Sequence, residues 1–174
     1  MNKSMIGKEA EKLLSRWLDK PKQGYCFDRI KDQLSMYANS SSNICDFTLF
    51  KSPFYYYIES KSTTHDRFDF KQLRGYPDSN DVKQQYGGLL MKSKIDHVYG
   101  AVVILFVTYE RAFIIDIKEI DRLTRLGQKS LNINDIDSWG IQYREIQTKP
   151  NNRKKHLKFD YVGEFEVSER VDTE

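Results

Sequence analysis

The sequence is poor in anything that could staple it or take it into a membrane. It has two cysteines, Cys26 and Cys45, in 174 residues, too few for the disulfide framework of small secreted domains. Each lies beside apolar, strand-like residues, so both read as small buried hydrophobes. The longest strongly apolar run is seven residues, Ala101 to Val107. Crossing a bilayer takes about 18 or more, so a transmembrane protein is not expected. Met1 to Met5 leads into a polar helix, not an apolar signal-peptide stretch, and a cytoplasmic location is expected. The three histidines, His65, His97 and His156, fall at no metal-ligand spacing, and there is no cysteine pair at zinc spacing. Neither a P-loop nor a G-x-G-x-x-G motif is present. No repeat or low-complexity tract divides the chain.

What is present is charge and aromatic side chains in a pattern. At 39% apolar and 30% charged, the chain has the length of one domain, 1–174. Such a domain buries roughly two thirds of its unfolded surface. Formal net charge is +3, unevenly spread: Lys149 to Lys158 (KPNNRKKHLK) holds five cations and no acid, while Glu164 to Glu174 forms an acidic tail. A local basic patch on a near-neutral domain suits phosphate contacts. A solvated loop accounts for the same run.

Helical spacing of Ile6, Ala10, Leu13, Leu14, Trp17 and Leu18 predicts an amphipathic helix over Met5 to Asp19, ended by Pro21. Tyr25 to Ile30 reads as a short strand, and Asn39 to Asn43 as a polar loop. Cys45 to Phe50 and Phe54 to Ser60 read as a hairpin joined by Lys51-Ser52-Pro53. His65 to Asn80 is polar and irregular, and Asp81 to Lys92 a second helix weakened by Gly87 and Gly88. The Val- and Ile-rich run Gly100 to Thr108 predicts a strand covered on both faces. Another strand, Ala112 to Asp116, and a third helix, Ile117 to Leu126, follow. Ile133 to Val167 reads as short extended pieces around the basic loop. This order predicts an α/β domain with a mixed central β-sheet flanked by helices.

The chemically loaded stretch runs from Asp46 to Lys61. Glu59 and Lys61, two apart on a strand, project from one face. Asp46 opens the other strand of the hairpin, so pairing can set it beside Glu59. Two carboxylates with an ammonium beside them make a site for a hard cation such as Mg²⁺. Such an ion lowers the pKa of a bound water and neutralises charge on a phosphate. A lysine there can orient or deprotonate that water. The blander reading is a cross-strand ion pair on a half-exposed sheet face. Gln85 shares a predicted helical face with Val82, Tyr86 and Leu89, where an amide needs a hydrogen bond. It either faces the site or is a buried structural amide. Tyr55-Tyr56-Tyr57 either stacks on bases or, as strand aromatics usually do, packs in the core.

Asp-x12-Glu-x-Lys across two adjacent strands resembles the PD-(D/E)XK nuclease motif. More narrowly, the chain resembles the RecU-type Holliday junction resolvases, in particular their short phage-encoded members. The matching pieces are Ile6-Gly7-Lys8-Glu9, Arg29-Ile30, Cys45-Asp46-Phe47, Tyr57 to Thr63, Gln85, Gly100 to Phe106, Phe113 to Asp116 and Lys129 to Asn134. Together they span roughly residues 6 to 148. Two departures stand out. Only Lys31 to Cys45 fills the place of the long stalk insertion of the cellular enzymes, and Cys45 takes the place of the usual threonine or serine before the aspartate.

The resemblance implies a single restriction-endonuclease-like domain. It also implies a Mg²⁺-dependent endodeoxyribonuclease, Mn²⁺ substituting, that resolves four-way junctions by symmetric nicking in recombination and replication. Cleavage would leave a 5′-phosphate and a 3′-hydroxyl. Asp46, Glu59 and the Ser60 carbonyl would hold metal, Lys61 would position the water, and Glu9 and Gln85 would assist, Glu9 being otherwise a solvated glutamate. Arg29, Lys83, Arg153, Lys154, Lys155 and Lys158 are the candidate DNA contacts. The expected partners are branched DNA and a second copy of the chain, met through apolar faces left over on the first and third helices. The compartment would be a bacterial host's cytoplasm if the chain is phage-encoded. The competing readings are another PD-(D/E)XK enzyme, of restriction or repair type, and a non-catalytic DNA-binding protein.

Overall fold

Alternation of apolar residues two apart, interrupted by three helical stretches, folds into a sheet with a layer on each face. The computed structural model describes residues 3–20, 24–30, 43–138, 140–152 and 157–165. In chain order the elements are α1 (Lys3–Leu18), β1 (Tyr25–Arg29), β2 (Phe47–Lys51), β3 (Phe54–Thr63), β4 (Arg67–Asp69), α2 (Gln85–Lys92), β5 (Val98–Phe106), β6 (Arg111–Asp116), α3 (Ile117–Arg125), β7 (Ser130–Asn132), β8 (Tyr143–Ile146), β9 (Thr148–Pro150) and β10 (Phe159–Tyr161). The fold is α/β. Its mixed central sheet has six strands in the order β1-β2-β3-β5-β6-β8, and β9–β10 and β4–β7 form two small ladders. Within the central sheet β3 and β5 pair in parallel, and the other neighbours are antiparallel.

β5 lies at the centre because both of its faces are apolar. Ala101, Val103 and Leu105 enter one core with α1, the β9–β10 hairpin and Phe165. Val102, Ile104 and Phe106 enter the other, with α2, α3 and the β4–β7 ladder. On the α1 side Trp17 meets Tyr161 edge-on with ring centroids 5.7 Å apart, and its Nε1 donates to the Gly163 carbonyl at 3.0 Å. On the other side Asp116 caps α3, its carboxylate accepting from the Lys118 N–H at 2.8 Å, the usual satisfaction of an orphan helix donor.

Four expectations need correction. The second helix begins at Gln85, not Asp81. Residues 81–84 form a turn in which the Asp81 side chain accepts from the Lys83 N–H at 3.2 Å, a local bond that competes with helix. Val82 is therefore exposed and does not share a face with Gln85. The stretch 65–80 is not merely irregular. It carries β4 and a 3₁₀ turn, Phe70–Gln72, and buries Phe68, Phe70 and Leu73, three apolar residues whose spacing mixes strand and 3₁₀ periods. Cys45 is buried as expected, but Cys26 is exposed, because β1 is an edge strand that presents alternate residues to solvent. Lastly, the apolar stripes of α1 and α3 are spent within the chain, leaving exposed only Met5 on α1 and Leu126 at the end of α3 among their described large apolar residues. Ile6, Leu13, Trp17, Ile117, Ile120 and Leu123 are all buried within the chain. The polar loop at 39–42, the cations at 153–155 and most of the acidic tail, 166–174, lie outside the described residues.

Gly87 and Gly88 do not simply weaken α2. A Cβ on Gly87 would stand 2.5 Å from the Asp81 carbonyl oxygen, and one on Gly88 2.5 Å from Ile44 Cγ2. They let the helix pack against its own leading turn and the chain before β2. Gly87→Ala should therefore destabilise the protein by about 1–3 kcal/mol in urea denaturation, although alanine is the better helix former. A stabilised Gly87→Ala variant would show that the turn gives way.

Candidate active site

The hairpin register delivers the first acid. β2 and β3 pair with Phe47 opposite Ile58, and the Asp46 N–H donates to the Ile58 carbonyl at 3.0 Å. The next step of that register sets Asp46 opposite Glu59. Beyond it β3 runs on while β2 has ended, so among the described residues no strand pairs with the β2-facing edge of β3 there. Asp46 occupies that edge: its Oδ2 accepts from the Ser60 N–H at 2.8 Å. A strand residue directs its N–H and C=O to the same side. The Ser60 carbonyl thus points to the edge where the Asp46 carboxylate sits.

Glu59 and Lys61 share the opposite face from Ile58, as their spacing requires, and lie under the start of α2. Lys61 Nζ donates to Glu59 Oε1 at 2.8 Å. Gln85, the first residue of α2, donates through Nε2 to the same Glu59 oxygen at 2.5 Å, and its own Oε1 accepts from Lys61 at 3.1 Å. That oxygen also accepts from the Arg74 backbone N–H at 3.1 Å. The amide is therefore buried, hydrogen-bonded and directed at the Glu59–Lys61 pair, which joins the two alternatives for Gln85.

Arg74 was not singled out by the sequence. Besides its contact to Gln85, its guanidinium donates to the Asn43 carbonyl at 2.6 Å, tying the segment before Asp46 to the segment before α2. An exposed arginine in a polar stretch gives no sequence signal for such a role.

Burial dominates the electrostatics. Glu59 is only 2% exposed, and desolvation pushes its carboxyl up to about 8 against the pull of the Lys61 ammonium, with the nearby Asp46 charge pushing the same way as burial. Its Oε2 is buried with no hydrogen-bond partner. A buried carboxylate oxygen without a donor carries a desolvation penalty that a hydrogen or a cation would relieve. Cys45, just before Asp46, has its thiol pushed up to about 12 by burial and then by the charges of Glu59 and Asp46. Burial thus disfavours its thiolate.

Among the described residues no group of three or more His, Cys, Asp or Glu is arranged to hold a metal ion. The donor set available is two carboxylates and one main-chain carbonyl. This fits Mg²⁺, which accepts few protein oxygens and keeps several waters, and the partnerless Glu59 Oε2 is the atom such an ion would satisfy.

The remaining candidates stand apart from this group to varying degrees. Glu9 is half-buried on α1, on the other layer, with Oε2 buried and without a hydrogen-bond partner; none of the contacts above reaches it. Arg29 lies at the end of β1 opposite Phe47, ion-paired to Glu11 at 3.0 Å. Lys83 is exposed in the turn leading to Gln85. Lys158 is exposed next to β10, on the hairpin that packs against α1. Arg153, Lys154 and Lys155 lie outside the described residues. Of the tyrosine triplet, Tyr56 is core and its neighbours are half-buried. A scan against protein-family models and a search of curated proteins both find no match to this chain.

The raised Glu59 carboxyl has a consequence for stability. Between its ordinary value of 4.5 and about 8, the folded protein holds a proton that the unfolded chain has released. Stability is therefore fully present below the ordinary value and is lost as pH rises through the folded one. Without divalent metal, the melting temperature should fall by about 10 °C between roughly pH 5 and pH 8, and Glu59→Gln should flatten that slope. An unchanged slope in Glu59→Gln would assign the pH dependence to another group.

Proposed function

We propose that this chain is a Mg²⁺-dependent DNA endonuclease with a restriction-endonuclease-like fold, and that it resolves four-way junctions as a homodimer by paired nicks. The observation that carries the reading is the hydrogen-bonded Glu59–Lys61–Gln85 group of β3 and α2, with Asp46, just before β2, bonded to the Ser60 N–H beside it. A structural ion pair would account for Glu59 and Lys61 alone. It would not account for Asp46 bonded to the Ser60 N–H beside that pair, or for the buried Glu59 Oε2 left without a donor.

Each residue has a part in phosphodiester hydrolysis. Asp46, Glu59 and the Ser60 carbonyl would supply the oxygens that hold Mg²⁺, with Mn²⁺ able to replace it. The chemistry that a hard divalent cation brings to such a site is a lowered water pKa and neutralisation of charge on the scissile phosphate. Lys61 orients the attacking water, its ammonium held in place by Gln85 and Glu59. Gln85 in turn engages Glu59 Oε1, leaving Oε2 as the oxygen a cation would satisfy. Arg29 and Lys83 flank this group in sequence and register and would contact phosphates, as would the cations at 153–155 and Lys158. A four-way junction has approximate two-fold symmetry, and one chain carries one such site. Two copies related by a C2 axis would supply the two opposed cuts.

Purified protein with Mg²⁺ on a synthetic mobile junction, with duplex, flap and single strand as competitors, tests this reading alongside a mass measurement in solution. Paired nicks on opposed strands from a dimer are expected. Asp46→Asn should lose roughly 100-fold or more in cleavage while remaining folded and DNA-bound, and Ca²⁺ should support binding without efficient cleavage. Full cleavage by Asp46→Asn at ordinary Mg²⁺ would remove the metal assignment. A monomer cutting duplex at a fixed sequence would make the chain a restriction-type enzyme instead.

A further inference from the structure

α1 carries a glycine that the fold itself does not use. Gly7 lies inside the helix, where glycine is the poorest helix former after proline. The described glycines with a reason to be glycine show it. Gly24, Gly75, Gly127, Gly140 and Gly163 have positive φ. Gly87, Gly88 and Gly100 have backbone or side chains within 3 Å of where a Cβ would stand. Gly7 belongs to neither group: its backbone is helical, and a Cβ there would meet nothing within 4 Å.

The space in front of it is a cleft of about 520 Å³ between the start of α1 and the far end of β3, lined by Ile6, Gly7 and the run Ser60 to Thr64. Lys61 is part of that lining, so the cleft opens onto the candidate active site. Its walls on the β3 side are hydroxyls and an ammonium. The carboxylate that also lines it, Glu11, is engaged by Arg29 at 3.0 Å. His65 and Gln72 complete the lining, and Ile6 is its one large apolar residue; this row of hydroxyl, amide, imidazole and ammonium groups matches the oxygens of a sugar–phosphate strand better than a base or a lipid.

We propose that the backbone of the cut DNA strand crosses α1 at Gly7, occupying the space a side chain would fill, and reaches Lys61 through this cleft. The inference rests on the endonuclease reading and adds to it a residue that decides which strand geometry enters the site. A phosphate that lies at Lys61 must be followed by its neighbouring sugar, and the cleft gives that sugar a path with bare backbone on one side. Any side chain at position 7 would stand in the path while leaving the Asp46–Glu59–Lys61–Gln85 group untouched.

The test compares wild type with Gly7→Ala and Gly7→Leu in three measurements: thermal melting, junction affinity by fluorescence anisotropy in Ca²⁺, and KM and kcat for cleavage in Mg²⁺. Gly7→Ala should raise the melting temperature by roughly 2–4 °C, since alanine favours helix and meets no clash. It should nonetheless bind and cut more weakly. Gly7→Leu should weaken affinity and raise KM by roughly tenfold or more, with kcat changed far less. A structural role would move stability and affinity in the same direction, so gain of one with loss of the other is the signature. Unchanged affinity and KM in Gly7→Leu overturns the proposal, as does an affinity loss seen only where stability is also lost. If wild type cuts junctions and Gly7→Leu cuts them equally well, the cleft path alone is wrong. If wild type neither binds nor cuts DNA, the endonuclease reading falls and takes the proposal with it.

Discussion

The parallel pairing of β3 with β5 is the constraint on which the rest depends. Two parallel neighbours cannot be joined by a tight turn; the chain must leave the sheet, cross one face and return. Here the crossing contains β4, the 3₁₀ turn and α2. It covers the face from which Glu59 and Lys61 project, and the first residue of α2 lays Gln85 against them. Because the crossing covers β5 as well, both faces of that strand are dry, and a continuous apolar run is the sequence that fits. The same burial that makes β5 the core makes Glu59 a buried acid.

A carboxylate 2% exposed is tolerated only if its charge is compensated or suppressed. Lys61 and Gln85 compensate one oxygen, and the other is left bare. The arrangement is local: β2 begins at Phe47, and the preceding Asp46 takes the Ser60 N–H. A longer β2 would pair the Ser60 backbone and close the position. The length difference between two strands of one hairpin is therefore what separates a site from an ordinary sheet.

Much of this was legible in the sequence. The periodicity of Ile6 to Leu18 fixed the buried face of α1, and the Val/Ile run fixed β5. The two-residue offset of Glu59 and Lys61 fixed their common face, and the amide among apolar residues marked Gln85 as needing partners. The start of α2 was missed because Asp81 makes a local turn bond that a helical pattern does not register. Phe68 and Phe70 were missed because two periods overlap within five residues. Arg74 was missed because its role is carried largely by its main-chain N–H, which every non-proline residue has.

The sequence by itself determined the elements, which faces they bury, and the residue types from which a cation site could be made, because periodicity and side-chain chemistry are local properties. Only the tertiary structure decided that Gln85 meets Glu59 and Lys61 across 24 and 26 residues of intervening register, and that Glu59 is buried, not on an open face. It also decided that Gly7 faces a cleft while Gly87 and Gly88 face backbone. Those outcomes depend on where the crossover lands and what it covers, and distances between segments far apart in the chain are not written in either segment.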